Sequence, residues 1–254
     1  MFYEEFEGIV LSSRPHREKD SLLKLFTKEY GKRMFFIRGT RSGKHVLQAG
    51  MLPFTKATYL GKISHQGLNF LQDSRNVVHY TKIMEDITLN AYATYVLQLA
   101  DAALEDNIPA VDLYQLIEDT LWALQVGKSP QLVVHLFELH VLRLFGISFD
   151  FYHCFVCGCQ QEPFDVSIRH QSVVCQQHFS EDPYRMKTPA KVVHIAQLLT
   201  KISPRQLGEI TVSKETLQEL KRLLDTMYEE YVGIRLKSKK FLDEMERWEE
   251  KIKK

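Results

Sequence analysis

Every cysteine of this 254-residue chain lies in one short stretch, HCFVCGCQQEPFDVSIRHQSVVCQQH, running from His153 to His178. Three chemistries gather thiols in this way: disulfides, a redox pair or a metal site. Cys154-Phe-Val-Cys157-Gly158 has the form of a zinc knuckle, in which a Cys-x-x-Cys turn lets both thiolates reach one tetrahedral ion and the glycine permits the tight backbone that follows. Cys175-Gln-Gln-His178 offers a second half at the spacing of two-knuckle zinc sites. Cys154, Cys157, Cys175 and His178 are therefore the expected ligands, with Cys159 and His153 as spare candidates. Four closed ligands mark a structural ion, whereas three plus water would mark a catalytic one.

The context favours metal over the other two. The opening MFYEEFEGIV has early acidic residues and no basic region leading into an apolar run, so no secretory signal is expected. The sequence has no apolar stretch long enough to span a bilayer. A soluble cytoplasmic protein is the default expectation, and thiols there stay reduced. A thioredoxin-like pair would need a strand-helix-strand context that this segment lacks.

Other chemistry-bearing patterns are weaker. His135-Leu-Phe-Glu138-Leu-His140 looks like a metalloprotease helix, but its histidines are five apart, about 140° around a helix, and do not share a face. They read as helix-surface or partly buried residues. The sequence has no Gly-x-Ser-x-Gly elbow, and RGTRSGK lacks the first glycine of a phosphate-binding loop. No enzymatic activity is expected. The rival readings are a zinc-dependent enzyme, which would need an open coordination position, and a zinc-containing protein-interaction scaffold without DNA binding.

The elements that must position these residues follow from periodicity. FEGIVLSS, SLLKLFTK, KRMFFIRG, FTKATYLGKI and LNFLQDSRNVV are five strand-like runs separated by turn signals, which suggests a small barrel. From about Thr81 the period becomes helical: Met84 to Leu104, Ala110 to Leu124, and a buried helix opened by Ser129-Pro130 and closed near Gly146. Further helices are expected from Pro189 to Ile202, from Ser213 to Tyr231 and from Ser238 onward. The expected class is α+β multidomain, with an N-terminal five-stranded OB-fold barrel and a mainly helical domain carrying an inserted zinc-knuckle segment. The corresponding domains are 1–80, 81–150, 151–182 and 183–254.

Charge divides the chain as well. Between Arg14 and Lys44 ten basic residues stand against three acidic ones, while Glu85 to Asp119 holds eight acidic residues and no Lys or Arg. The two regimes suggest separate modules, the acidic one facing solvent or a basic partner. A basic five-stranded barrel is what an oligonucleotide-binding fold looks like in sequence. Arg14, Arg17, Lys32, Arg33, Arg38, Arg41 and Lys44 are the expected DNA-binding residues, with the loop RGTRSGK at their centre. Arg235, Lys237, Lys239 and Lys240 form a secondary basic patch. Phe26, Phe35, Phe36, Phe54 and Phe70 could stack on bases, but alternating aromatics in strands are more often core.

The order of parts resembles the bacterial recombination mediator RecO family. The resemblance covers essentially the whole chain, through the run from Glu18 to Gly31, the loop from Arg38 to Lys44, and LKSKKFL at Leu236 to Leu242. It implies a cytoplasmic, nucleoid-associated, non-enzymatic DNA repair protein. Such a protein binds single- and double-stranded DNA, anneals complementary strands, engages the acidic tail of single-strand-binding protein, and works with RecR to load the recombinase RecA. A monomer with one structural zinc is expected. The departure is His178, where zinc-bearing members usually have a fourth cysteine. The acidic tail needs an apolar pocket rimmed by basic groups, for which Arg143 and the patch at 235–240 are candidates.

Overall fold

The computed structural model describes residues 3–40, 45–64, 67–208 and 211–252. Five strands, β1 (Glu4–His16), β2 (Asp20–Thr27), β3 (Gly31–Ile37), β4 (Lys56–Lys62) and β5 (Asn69–Val78), close into a barrel in the order β1-β2-β3-β5-β4. All neighbours are antiparallel except β3 and β5. Alternation, interrupted by register shifts in β1 and between β4 and β5, gives the barrel an apolar inner face. On β3 Phe35 and Ile37 point inward with Phe6, Val10, Leu23, Leu25 and Tyr59, while Met34 and Phe36 point out.

Three helices follow the barrel: α1 (Thr81–Glu85), α2 (Ile87–Ala103) and α3 (Val111–Gln125). Asp86 caps α2 by accepting from the amides of Thr88 and Leu89 at 2.8 and 3.0 Å. These helices join the barrel in one compact unit, which runs to Val126 and takes in the last helix, α7 (Lys237–Ile252), from Ser238 onward. The barrel and the acidic helices are thus not separate modules: their charges meet. Lys24 on β2 lies 2.6 Å from Asp101 and 3.1 Å from Asp106, Lys32 lies 3.0 Å from Asp101, and Lys56 lies 2.8 Å from Glu118. Phe26 stacks on Tyr114 of α3 beside them.

The second unit spans residues 127–237. Its centre is α4 (Pro130–Val141), which begins after Ser129 with proline in the first turn and runs through a short 3-10 segment to Gly146, whose φ is 80°. Ser129 occupies the N-cap position but makes no side-chain cap hydrogen bond. Leu132, Leu136, Leu139 and Leu142 are buried against neighbours that include α5 (Ala190–Leu199) and α6 (Lys214–Met227). Ser213 caps α6 through the amide of Thr216.

The cysteine segment adds a feature that periodicity does not announce: a three-stranded sheet of β6 (Asp150–Cys154), β7 (Phe164–Ser167) and β8 (Ser172–Cys175), ordered β6-β8-β7. β6 and β8 run parallel, so their carboxyl ends lie side by side.

Candidate metal centre and nucleic-acid interface

Cys154 ends β6 and Cys175 ends β8, and the parallel pairing brings these two thiols to the same edge. Each is followed by a turn that returns a second donor. After Cys154 the Gly158 amide donates to the Cys154 carbonyl at 2.8 Å, and Gly158 takes a φ of 69°, a conformation that glycine adopts without steric cost. That turn delivers Cys157. After Cys175 the chain enters a 3-10 segment whose regularity breaks at His178, with φ −116° and ψ 17°, and this turn delivers the imidazole.

The donor atoms of Cys154, Cys157, Cys175 and His178 all lie within 4.8 Å of one another. Cys157 Sγ is 3.9 Å from Cys175 Sγ, Cys154 Sγ is 3.9 Å from His178 Nδ1, and Cys175 Sγ is 3.1 Å from the same nitrogen. Tetrahedral coordination with metal–sulfur bonds of about 2.3 Å requires sulfurs roughly 3.8 Å apart, so this set is positioned to hold one ion.

The close approach of the thiols splits their acidities. Burial pushes Cys154 up, but hydrogen bonds from the amides of Cys175, Cys157 and Val156 outweigh it and bring the thiol down to about 6. Burial pushes Cys175 up to about 12, with the neighbouring thiols adding to the effect.

The two spare candidates do not belong to this quartet. His153 is turned to Asp150, with Nδ1 2.8 Å from Oδ2, and to Gln160 at 2.7 Å. Cys159 sits next to the knuckle, where its carbonyl accepts from the Cys154 amide at 2.9 Å, and it is not one of the four donors. His135 and Glu138 prove buried rather than superficial, paired at 2.9 Å within α4. Burial holds His140 below the ordinary imidazole value, and its Nε2 lies 2.9 Å from the Leu199 carbonyl.

The basic residues separate into two groups. Arg14, Arg17 and Arg38 are exposed at one end of the barrel. Arg17 sits in the β1–β2 turn with φ 54°. That turn meets the bend that follows β3: the Gly39 amide donates to Asp20 at 3.1 Å, and Ser21 and Thr40 share a hydroxyl hydrogen bond of 2.7 Å. Arg41 and Lys44 lie outside the described residues.

Lys32 and Arg33 are not on that surface, although the charge count placed them among the DNA contacts. Lys32 is 3% exposed, and its ammonium donates to the Asp101 and Leu104 carbonyls besides pairing with Asp101. Arg33 is 8% exposed and donates to the carbonyls of Tyr30 and Ser64. Their physical role is to clamp the helices and the barrel's own turns. In the secondary patch, Arg235, Lys237 and Lys240 are exposed; Lys240 lies 3.9 Å from Glu244. Lys239 is half-buried over the Tyr95 ring and 3.6 Å from Asp243.

Comparison with known proteins agrees with this arrangement. Residues 1–79 match the family described as Recombination protein O N terminal, and residues 84–240 match Recombination protein O C terminal. The chain belongs to the RecO family. It is 39% identical over 249 residues to the DNA repair protein RecO of Enterococcus faecalis, covering 98% of this chain and 95% of that one. It is 40% identical to the DNA repair protein RecO of Pediococcus pentosaceus, covering 96% and 97% of the two chains. The RecO of Lactiplantibacillus plantarum is also 40% identical, with 96% and 94% covered. RecO proteins are a DNA repair mediator family, and this chain carries the barrel, the helices and the Cys/His quartet. Among the described residues no helix is long and apolar enough to cross a membrane.

Proposed function

We propose that this RecO-family protein binds single- and double-stranded DNA through its barrel, anneals complementary strands and, with RecR, helps load RecA onto DNA coated by single-strand-binding protein. It acts without catalysis of its own, as a monomer in the cytoplasm on the nucleoid. The observation that supports this most is the exposed end of the barrel, where the β1–β2 turn and the bend after β3 bring Arg14, Arg17 and Arg38 together. Basic groups on adjoining loops neutralise phosphates and release counterions whatever the base sequence, and screening two strands at once removes the repulsion that opposes annealing. The acidic tail of single-strand-binding protein would be met by an apolar pocket rimmed with basic groups, Arg143 or the residues at 235–240.

Zinc is the ion this donor set favours, since three thiolates and one imidazole suit a closed tetrahedral site. Cys154, Cys157, Cys175 and His178 would hold it. All four positions are then filled by protein, so the ion fixes the ends of β6 and β8 and offers no place for an activated water.

A gel-shift titration with single- and double-stranded oligonucleotides at several salt concentrations tests the DNA reading. Binding of both that weakens steeply with salt is expected. A protein-interaction scaffold without DNA binding would show no salt-sensitive shift, and that result would overturn the proposal.

A further inference from the structure

Next to the basic end of the barrel, one row of residues crosses its outer surface. Strand register aligns Arg14 with Leu22, Leu22 with Phe36, Phe36 with Phe70, and Phe70 with Lys62, so a row over β1, β2, β3, β5 and β4 is basic at both ends and aromatic in the middle. Phe35 and Ile37 fill the interior, whereas Phe36 and Phe70 face outward and are half-buried. The helical cover lies elsewhere: Tyr114 takes Phe26, and Asp101 takes Lys24. Met34 and Leu68, at 37% and 63% exposure, continue the open apolar surface around the two rings.

The rings are pre-set. Phe36 meets Phe70 edge-to-face at 6.4 Å and His16 edge-to-face at 5.7 Å, which fixes its plane through two perpendicular neighbours. The Arg38 guanidinium stands 6.0 Å from the centre of the Phe36 ring, at the outer limit of a cation–π contact, and is easily released to a phosphate. Of the acidic groups in the β1–β2 turn, Asp20 is turned to the Gly39 amide, while Glu18 is exposed beside Arg17.

We infer that Phe36, Phe70 and His16 form a base-stacking platform for single-stranded nucleic acid, flanked by Arg14, Arg17, Arg38 and Lys62. This rests on the DNA-binding reading and adds to it a physical basis for recognising single strands. Bases in a duplex are already stacked and their faces are closed, so phosphate contacts alone serve duplex and single strand, while the rings serve only unpaired bases. Partial exposure of two phenyl rings between cationic ends matches a ligand that alternates flat apolar faces with phosphates. A purely apolar protein partner would leave Arg14 and Lys62 unanswered.

The test compares binding of oligothymidylate, an abasic strand of equal length and a duplex by fluorescence anisotropy at low salt, using the full chain. The parent should prefer oligothymidylate over the abasic strand. Phe36→Ala with Phe70→Ala should weaken oligothymidylate binding about tenfold or more, leaving duplex affinity, abasic-strand affinity and salt slope unchanged. Should those variants fold poorly, Phe36→Leu with Phe70→Leu keeps apolar volume without an aromatic face and should show the same loss. Phe36→Trp should retain affinity, with the new indole's emission quenched on binding. A parent that binds the abasic strand as well as oligothymidylate, or folded Leu variants with parental affinity, overturns the platform while leaving DNA binding intact. A parent that binds no strand at all overturns both.

Discussion

Lys32 Nζ lies 3.0 Å from Asp101 Oδ1, a pair formed between the barrel and the end of helix α2, with the lysine almost wholly buried. The same ammonium donates to the Asp101 and Leu104 carbonyls where α2 runs out. A cation is favourable there, because the last carbonyls of a helix lack internal partners. Lys32→Met keeps much of the volume but strands those acceptors, and it should destabilise the protein by about 2–4 kcal/mol in urea unfolding. Oligonucleotide affinity of the folded variant should match the parent; a large loss of affinity without loss of stability would return Lys32 to the DNA surface.

Gly31, one residue earlier, opens β3 at a position that only glycine fits. Its φ is 68°, and a Cβ built there would stand 2.0 Å from the Ile108 carbonyl oxygen. Backbone-to-backbone approach is confirmed by the Asn107 amide donating to the Lys32 carbonyl at 3.0 Å. Gly31→Ala combines a left-handed conformation with a clash against backbone, so a loss of at least about 2 kcal/mol is expected from thermal or denaturant unfolding. A near-neutral variant would mean that the loop from Leu104 to Ala110 yields freely.

The Lys24–Asp106 pair sets a pH dependence. Burial raises the Asp106 carboxyl, but the hydrogen bond and charge of Lys24 outweigh it and hold the group below the ordinary 3.8. Its stabilisation is therefore present above 3.8 and is lost as pH falls through the depressed value. Burial lowers Lys24, but Asp101 and Asp106 outweigh it and hold the ammonium above the ordinary 10.5, so that contribution is complete below 10.5 and fades as pH rises beyond it. Between these limits Lys24→Met should cost up to about 1 kcal/mol, since Asp106 is largely exposed, and the difference from the parent should shrink at either extreme.

These contacts show where sequence reading succeeds and where it stops. Alternation on β3 and its neighbours made the barrel legible, and the knuckle spacing picked out the four donors because each turn is local. The count of cations could not tell Arg38 from Lys32. Strand parity puts Phe36 and Arg38 on one side, but Lys32 is buried because the end of α2, more than 60 residues later in sequence, lies over it. The acidic run that seemed to await a separate partner had one in the same unit. The sheet that carries the cysteines escaped notice because β7 and β8 are four residues each, too short for a period to register.

Ligand substitutions divide the cysteines cleanly. Cys154→Ser, Cys157→Ser, Cys175→Ser and His178→Ala should each lose stoichiometric zinc and lower the melting temperature, because binding and local folding are one equilibrium in such sites. Cys159→Ser and His153→Ala should keep the metal, as both lie outside the quartet. His178→Cys should retain it as well, with a thiolate in place of the imidazole. Metal content by atomic absorption decides; equal zinc loss in Cys159→Ser would show that a thiol has been misassigned.

Arg38 begins the basic run RGTRSGK, and its side chain is exposed where the β1–β2 turn and the bend after β3 are tied by Ser21 and Thr40. Arg41 and Lys44 follow in sequence, outside the described residues. If all three contact phosphates of a single strand, each contributes roughly 0.7 to the slope of log K against log salt. Replacing the three with alanine should then reduce that slope by about 2 and weaken binding to every oligonucleotide alike. Annealing of complementary strands should slow, since it depends on screening phosphate repulsion, while zinc content and helicity stay at parental values. This variant is the counterpart of the Phe36 and Phe70 substitutions, because charge should govern the salt slope and the rings should govern the preference for unpaired bases. A triple alanine variant with the parent's slope and affinity would move the phosphate contacts away from this loop, to Arg235, Lys237, Lys239 and Lys240.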